Sequence, residues 1–535
     1  MQTYNNPIIS GFAPDPSVVL VDGTYFLVTS SFHIFPGIPI YASKDLQTWV
    51  QIGNAINRPE QVDLTNTITK AVKLHGGETM IGAGGLFAPT IRYDRGTFYI
   101  VCTNVSEEGD DFAAENFYIS TTNIWKGDWS DPKPLNFKGI DPSLFIDDDG
   151  RAYIQGAWRL DRTEQPYSTI KQYEIDLHTG QQLSEPKELW QGSAQVYTEG
   201  PHLYKKDGYY YLLVAEGGTF EDHMISIARS KDILGPYENC QENPILTAAG
   251  KPDELVQDTG HGELFQDSEG QWWATVLGVR KVDDRYPLGR ESFLVPVDWP
   301  EGGWPRMPHP QLQFQRQACG SRAKWACLPQ KLHVDDCHIR TPSMNLYRRQ
   351  STSVSLRPTD ATLAVPVGSA SFVGKRQRSI NDKATVSLVL AEANLGKPVV
   401  AGLAVYKDDY RSASIAVDFG KGTIILRQRR TKDAAQPPEE VDVNQTVLSD
   451  HPGDKIQLGI DSCQTHYTFQ YREDPSSPWT VLGSVDTLDL TCRDFTGTIL
   501  GVFAHNTTLQ NFEGDWVTFS HLTVTGQDQS QVLKL

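Results

Sequence analysis

Residues 21–28, VDGTYFLV, begin a pattern that recurs four more times within the first 300 residues. Each copy places a glycine-containing turn before a run of aromatic and aliphatic residues, which is the pattern of a β-hairpin. The recurrences are DRGTFYIV (94–101), DDGRAYIQ (148–155), KDGYYYLL (206–213) and SEGQWWAT (268–275). An interval of ~60 residues leaves room for four strands per unit, so the repeat predicts a five-bladed β-propeller.

Composition supports an all-β chain. The 535 residues include 44 Gly, 32 Pro, 12 Trp, 21 Tyr and 21 Phe but only 5 Met, a mixture rich in turn formers and β-favouring aromatics. A doubly wound α/β fold is excluded because long amphipathic helix patterns are missing between the strand patterns. From about residue 340 the repeat stops and short alternating strands follow, which predict a jelly-roll, lectin-like β-sandwich. The expected domains are a propeller (1–318), a connector (319–340) and a sandwich (341–535).

Charge and hydropathy exclude several classes of function. The chain carries 48 basic and 66 acidic side chains, a net charge of −18, which argues against binding to nucleic acid or to an anionic membrane surface. No apolar run approaches the ~18 residues of a membrane span. The start, MQTYNNPIIS, lacks the features of a signal peptide, whereas three N-x-[ST] sequons favour secretion. We expect an extracellular mature form, with a cytoplasmic protein as the alternative, and make no prediction of oligomeric state.

The repeat also predicts where functional residues converge, since the innermost strand of every blade lines the central channel. Counting back eight or nine residues from each turn glycine gives five equivalent positions: Asp15, Ala88, Asp141, Glu199 and His261. Carboxylates facing one another across a channel either bind a hard cation or divide acid and base duties at a glycosidic bond. Asp-Pro and Glu-Gly-Pro also mark ordinary turns, but three carboxylates in register favour the catalytic interpretation.

Four segments carry a family resemblance: NPIISGFAPDPS (6–17), GIDPSLFIDDDGRAYI (139–154), TEGPHLYKKDGYYYLLVAEGG (198–218) and LGRESFLVPVDW (288–299). Together they resemble glycoside hydrolase family 43. The resemblance implies a five-bladed propeller and hydrolysis with inversion. It also implies Asp15 as general base, Asp141 as modulator of the acid's pKa and Glu199 as general acid.

The same resemblance implies roles for a cation and an imidazole. Arg290 is expected to reach the bound sugar, the alternative being a structural ion pair. His261 is expected at the channel centre beside a water molecule or a structural calcium ion, the alternative being a hydrogen-bonded core histidine. Inversion itself requires no cofactor.

Aromatic residues are expected around the sugar. By analogy with the family, Phe32 and Phe35 are predicted as pocket walls. Phe87 stands where many members of the family have Trp, a departure that changes the subsite wall. Tyr167 lies in a blade insertion that is expected to rim the pocket.

The resulting hypothesis is an inverting, exo-acting glycosidase that releases terminal L-arabinofuranose from arabinoxylan side chains, including those of doubly substituted xylose. A β-xylosidase acting on xylo-oligosaccharides is the alternative within the class. A non-catalytic carbohydrate-binding protein is disfavoured because a lectin has no need of three clustered like charges. A sialidase is disfavoured because S-x-D-x-G-x-T-W boxes are missing. The sandwich is expected either to narrow the pocket or to bind polymer.

Overall fold

The computed structural model describes residues 1–73, 79–108, 111–160, 166–317, 333–390, 395–431, 436–449, 453–508, 516–526 and 532–534. Nearly all regular structure in these ranges is β-strand, as the composition predicted. In the described part of the chain, no helix is long and apolar enough to cross a membrane.

The N-terminal domain begins with strand β1 (Gln2–Asn5) and then forms antiparallel sheets in chain order. The first sheet, of order β2-β3-β5-β6, contains β2 (Ser17–Val21), β3 (Thr24–Val28), β5 (Gly37–Ser43) and β6 (Val50–Ile56), with the short β4 (Ile34–Phe35) inserted. A hairpin of β7 (Thr69–Lys73) and β8 (Thr79–Ala83) follows. The second sheet contains β9 (Gly85–Asp94), β10 (Thr97–Glu108), β11 (Asp111–Thr121) and β12 (Lys133–Leu135).

Three further sheets complete this domain. The third contains β13 (Gly139–Ile146), β14 (Ala152–Arg159), β15 (Ser168–Ile175) and β16 (Lys187–Trp190). The fourth contains β17 (Glu199–Lys206), β18 (Tyr209–Glu216), β19 (Met224–Ser230), β20 (Glu238–Asn239) and β21 (Leu246–Thr247). The fifth contains β22 (Val256–Gln266), β23 (Trp272–Arg280) and β24 (Arg290–Val297).

The sheets are arranged as a β-propeller. Their first strands contact one another in a closed ring, β2 with β9, β9 with β13, β13 with β17, β17 with β22 and β22 with β2. The chain start closes the ring, because Ile9 bridges Ser292 of β24 and β1 pairs with β25 (Gln313–Arg316). The turn glycines of the repeat join the first and second strands of each sheet, and all have positive φ: Gly23, Gly96, Gly150, Gly208 and Gly270.

The first strands of four sheets carry a kink, and in the first sheet the kink lies just before β2. The kinked residues have left-handed backbone conformations: Asp15 (φ 54°), Ala88 (41°), Asp141 (56°), Gly200 (57°) and His261 (33°). The predicted equivalence of Glu199 with the other four positions is therefore wrong by one residue. A side chain at Gly200 would place its Cβ 3.0 Å from the His261 ring, so glycine occupies the kink and the acidic residue precedes it.

The C-terminal domain is a sandwich of two antiparallel sheets. It is preceded by β26 (His338–Ile339), which pairs with β4, and by a 3-10 turn (Met344–Leu346). Next come β27 (Tyr347–Arg349), β28 (Ser353–Leu356), β29 (Phe372–Arg376), β30 (Asp382–Val389), β31 (Val399–Asp408), β32 (Arg411–Asp418), β33 (Thr423–Arg430) and β34 (Glu439–Val447). The rest are β35 (Lys455–Ser462), β36 (His466–Arg472), β37 (Thr480–Asp486), a 3-10 helix (Thr487–Leu490), β38 (Ile499–Asn506), β39 (Val517–Gly526) and β40 (Val532–Lys534).

The sandwich sheets have orders β27-β28-β39-β30-β35-β36-β37, with β40 beside β39, and β29-β38-β31-β32-β33-β34. Alternate side chains of β38 belong to two different cores, because successive residues of a strand point to opposite faces of the sheet. Leu500 and Val502 face the sandwich interior, whereas Ile499 and Phe503 join an apolar cluster that contains Phe12 and Phe32 of the propeller. The second domain is thus packed directly against the predicted pocket wall. Most of the predicted connector, residues 319–332, lies outside the described residues.

Candidate active site

The predicted imidazole lies near two of the three predicted carboxylates, and the third, Glu199, directly precedes the kink of the fourth sheet. His261 Nδ1 lies 3.9 Å from Asp15 Oδ1 and 3.9 Å from Asp141 Oδ2. The Gly200 amide donates to Asp141 Oδ2 at 3.0 Å, which ties Asp141 to the residue after Glu199. Asp15 and Asp141 are 6% and 7% exposed, whereas Glu199 is partly exposed and open to a ligand.

A hydroxyl fixes the orientation of Asp15. Ser30 Oγ donates to Asp15 Oδ2 at 2.5 Å and accepts the Ala88 amide at 2.7 Å. Oδ2 is thereby held by Ser30, while Oδ1 faces His261. The kink at Ala88 is therefore part of the support for Asp15, although its side chain carries no chemistry.

The acidic groups influence each other's protonation. Desolvation raises the pKa of Glu199 well above its ordinary value, and the neighbouring charge of Asp141 raises that pKa further. Desolvation also raises the pKa of Asp141; His261 opposes the increase and Asp15 adds to it. A carboxyl kept protonated near neutrality is suited to donate a proton to a leaving oxygen.

Arg290 is buried at 5% exposure beside these groups, and its charge lowers the pKa of both Asp141 and Glu199. Its Nη2 donates to the Thr219 carbonyl at 2.7 Å. Within the described residues no carboxylate lies within ion-pair distance of its guanidinium, so the alternative of a structural ion pair does not apply.

The segment before Glu199 is anchored by Glu216, which is fully buried. Glu216 accepts the backbone amides of Ser193, Ala194 and Gln195, each at 2.9 Å. Tyr167 packs 4.7 Å from Tyr197 between ring centroids, two residues before Glu199. The structure therefore brings Tyr167 to the site, and it adds Tyr197, which the sequence analysis missed.

The predicted aromatic residues separate into two environments. The Phe32 ring lies 4.7 Å from that of the partly exposed Phe87. Phe35 instead packs in the core of the first two sheets with Ile38, Ile56 and Leu86, and is 3% exposed. Phe32 is also buried, at 2% exposure, in the apolar cluster between the domains, so exposure does not separate the two residues as pocket walls.

A residue of the sandwich also reaches the site. The Phe495 ring stacks on Phe32 at 5.7 Å and on Phe220 at 6.2 Å, and the Arg290 guanidinium lies 4.5 Å from its centroid. Phe495 is partly exposed. The sequence analysis gave it no role in the site, because residues 495–506 indicate only a strand of the second domain and nothing local places Phe495 beside the propeller.

Comparison with known proteins agrees with this geometry. Residues 4–305 match the family model of glycosyl hydrolases family 43. The chain belongs to glycosyl hydrolases family 43. Residues 330–525 match the beta xylosidase C-terminal concanavalin A-like domain. The protein is therefore a glycoside hydrolase, as predicted.

Similar members of family 43 cover almost the whole chain. A non-reducing end α-L-arabinofuranosidase of Bacteroides ovatus is 33% identical over 97% of this chain and 95% of its own length. A xylosidase/arabinosidase of Butyrivibrio fibrisolvens is 34% identical over 78% of this chain and 80% of its own. The crystal structure of a xylan β-1,4-xylosidase from Bacillus halodurans superposes with a TM-score of 0.84 at 29% identity, covering 98% of this chain and all of that one.

The calcium ion that the family resemblance offered for His261 can be compared with the residues around that imidazole. The His202 ring lies 6.3 Å from that of His261, and Arg92 donates to His202 Nδ1 at 3.3 Å. Arg92 also pairs with the buried Glu263. A fixed guanidinium thus already neutralises the nearby carboxylate, and among the described residues no group of three His, Cys, Asp or Glu could hold a metal ion.

Proposed function

We propose that this protein is an inverting, exo-acting glycosidase that releases terminal L-arabinofuranose from arabinoxylan side chains, including those on doubly substituted xylose. The observation that carries the mechanism is the pairing of a hydroxyl-oriented Asp15 carboxylate with a Glu199 carboxyl whose pKa is raised. We also propose that the propeller has five blades, supported by five sheets whose first strands form a closed ring.

In the proposed reaction Asp15 removes a proton from water as the water oxygen attacks the anomeric carbon. The bond between that carbon and the leaving oxygen breaks, and Glu199 gives its proton to that oxygen. Asp15 ends protonated and Glu199 ionised, so one further proton exchange restores the enzyme. Asp141 keeps Glu199 protonated beforehand, and Arg290 binds hydroxyls of the terminal sugar.

The arabinofuranosidase assignment is supported by the Bacteroides ovatus relative, which matches over nearly the full length of both chains. The β-xylosidase alternative is favoured by the structural similarity to the Bacillus halodurans xylosidase. The raised pKa of Glu199 argues against a non-catalytic role. A carboxyl with a raised pKa lowers the free energy of unfolding near neutral pH, and a lectin has no use for such a group. Arabinoxylan, the substrate of the first assignment, is an extracellular polymer, so we propose that the protein acts outside the cell.

Product analysis separates the two substrates. The enzyme is incubated with arabinoxylan and, separately, with linear xylo-oligosaccharides, using Glu199→Gln as the inactive control. We expect arabinose from the polymer and no xylose from the oligosaccharides. Xylose released from chain ends alone would move the protein to the β-xylosidase assignment, and no pentose from either substrate would overturn both.

We propose further that no metal ion is required, because Arg92 supplies the positive charge beside His202 and Glu263. Prolonged treatment with a chelator should leave the rate unchanged, and a loss restored by calcium would contradict this.

A further inference from the structure

The loop that carries Phe495, residues 491–498, is the wall loop. It contacts the propeller at three places. Arg493 pairs with Glu221 of the fourth sheet, and the Arg493 carbonyl accepts the Ile81 amide at 3.0 Å. The Thr498 amide donates to the Pro287 carbonyl at 3.1 Å. The wall loop is thus held between the propeller segments that surround Arg290 and Phe220.

Two glycines permit this close approach. A Cβ at Gly289 would lie 2.1 Å from the Thr496 carbonyl oxygen, and a Cβ at Gly497 would lie 2.0 Å from the Leu288 carbonyl oxygen. The backbone of the wall loop therefore runs directly against the residues before Arg290. This places the Phe495 ring, at 4.5 Å, over the guanidinium.

Behind the wall loop lies a buried ion cluster of the sandwich: Lys407, Asp408, Arg411 and Asp494. Lys407 and Asp408 end β31 and Arg411 begins β32, so three members sit on one hairpin. Asp494, the residue before Phe495, receives Arg411 Nη1 at 2.5 Å and Lys407 Nζ at 3.1 Å. Arg411 also pairs with Asp408, and all four residues are at most 4% exposed.

Stability alone is a poor explanation for such a cluster. The desolvation of buried charges offsets most of their attraction, and apolar residues of similar volume often stabilise a fold equally well. Buried charges with fixed hydrogen-bond geometry do, however, hold the backbone that carries them in a defined position. Here that chain continues directly into a side chain that touches the sugar-binding arginine.

We propose that Asp494, held by Arg411 and Lys407, is a positioning residue of the active site that fixes Phe495 over Arg290 and so sets the fit of the terminal pentose. This rests on the proposed function, since it presupposes a pentose in the pocket. The sandwich domain then takes part in substrate recognition through its own ion cluster, and not only by covering the pocket.

The test is a double-mutant cycle with Asp494→Asn and Phe495→Ala. KM and kcat are measured on 4-nitrophenyl α-L-arabinofuranoside and β-D-xyloside, and Tm is measured alongside. Because the wall contacts the sugar before and during bond cleavage, we expect Asp494→Asn to act mainly on KM, lowering kcat/KM about tenfold or more. In the Phe495→Ala background the same substitution should change kcat/KM less than about twofold, while it lowers Tm equally in both backgrounds.

Asp336→Asn is the matched control. Asp336 is another buried carboxylate, in the segment that precedes the sandwich; it is 8% exposed and paired with Arg349, and it lies outside the wall loop. It should lower Tm without raising KM. If Asp494→Asn does not fold, Lys407→Met is used in its place, because it removes one partner of Asp494. It should raise KM by a smaller factor than the loss of Asp494 would, and only when Phe495 is present.

Equal losses of kcat/KM in both backgrounds would overturn the positioning role, as would an equal rise in KM for Asp336→Asn. If the wild-type protein cleaves neither pentoside, the proposed function fails instead. The two failures are therefore distinguishable.

Discussion

Glu199 shows how a single carboxyl is prepared for proton donation. Its side chain is open to a ligand, yet desolvation and the charge of Asp141 raise its pKa. Asp15 has the opposite requirement, since a general base must be ionised to accept a proton. Its Oδ2 accepts a hydrogen bond from the Ser30 hydroxyl, which suits a carboxylate. Environments that separate two carboxyl groups in this way assign the acid and the base.

Glu199→Gln should abolish proton donation while leaving the fold intact. We expect the rate on arabinoxylan, whose leaving group is poor, to fall by about 10² to 10⁴. The loss should be smaller on aryl glycosides, whose leaving oxygen needs little protonation. Steady-state kinetics on both substrates check this, and equal losses on the two would contradict the role of Glu199 as acid.

The same substitution should stabilise the protein at neutral pH. Because folding raises the pKa of Glu199, ionising this group lowers the free energy of unfolding. The loss of stability is absent below the pKa that Glu199 has in the unfolded chain. It grows as the pH rises towards the pKa of Glu199 in the folded protein. Glu199→Gln removes this cost. Its Tm should exceed that of the wild type at pH 7 to 8 and match it near about pH 4.

Asp141→Asn removes a negative charge beside the acid. Because that charge raises the pKa of Glu199, the alkaline limb of the pH profile of kcat should move to lower pH, together with a fall in rate. Asp336→Asn serves as the control and should leave the limb in place. An unmoved limb in Asp141→Asn would remove Asp141 from the role of pKa modulator.

At the scale of the strand, the kinks of the propeller's inner strands explain why acidic residues meet at the channel. Left-handed φ values at Asp15 and Asp141 interrupt otherwise apolar strands and bring both side chains within 3.9 Å of His261. Such backbone strain is common where an active site requires an unusual side-chain direction.

Gly200→Ala tests the kink in the fourth sheet. The new Cβ would sit at φ 57° and 3.0 Å from the His261 ring, so it should disturb the Gly200 amide that binds Asp141. We expect kcat to fall about tenfold or more. Gly208→Ala has a similar φ of 72° but only the Lys231 ammonium within 4 Å, and it should cost stability without reducing kcat. Equal kcat values for the two variants would contradict this account.

The elements of the propeller could be predicted because turn chemistry is local. Gly23 and its four counterparts need positive φ, and each predicted a hairpin that the structure contains. The offset in the fourth sheet follows from turn length. A two-residue turn joins β17 to β18, so the kink lies eight residues before Gly208, whereas the longer connections of the third and fifth sheets place it nine residues before their glycines. Phe32 and Phe35 join different apolar clusters, and no sequence signal separates two phenylalanines three residues apart.

At the scale of the molecule, the two domains form one site. Phe12 and Phe32 of the propeller share an apolar cluster with Phe372 and Phe503 of the sandwich, and Arg285 pairs with Asp486 across the same boundary. Phe495 completes the wall. Nothing local in its sequence predicts this position, since it depends on how two domains distant along the chain pack together.

The central claim is that Asp15 and Glu199 hydrolyse a terminal pentoside with inversion. The most direct measurement follows the anomeric signals of the first-formed sugar by proton NMR during hydrolysis of an α-L-arabinofuranoside, before mutarotation. The account predicts that β-L-arabinofuranose forms first and that the α anomer grows only later. Initial formation of the α anomer would show retention and contradict the assignment of Asp15 as a base acting through water.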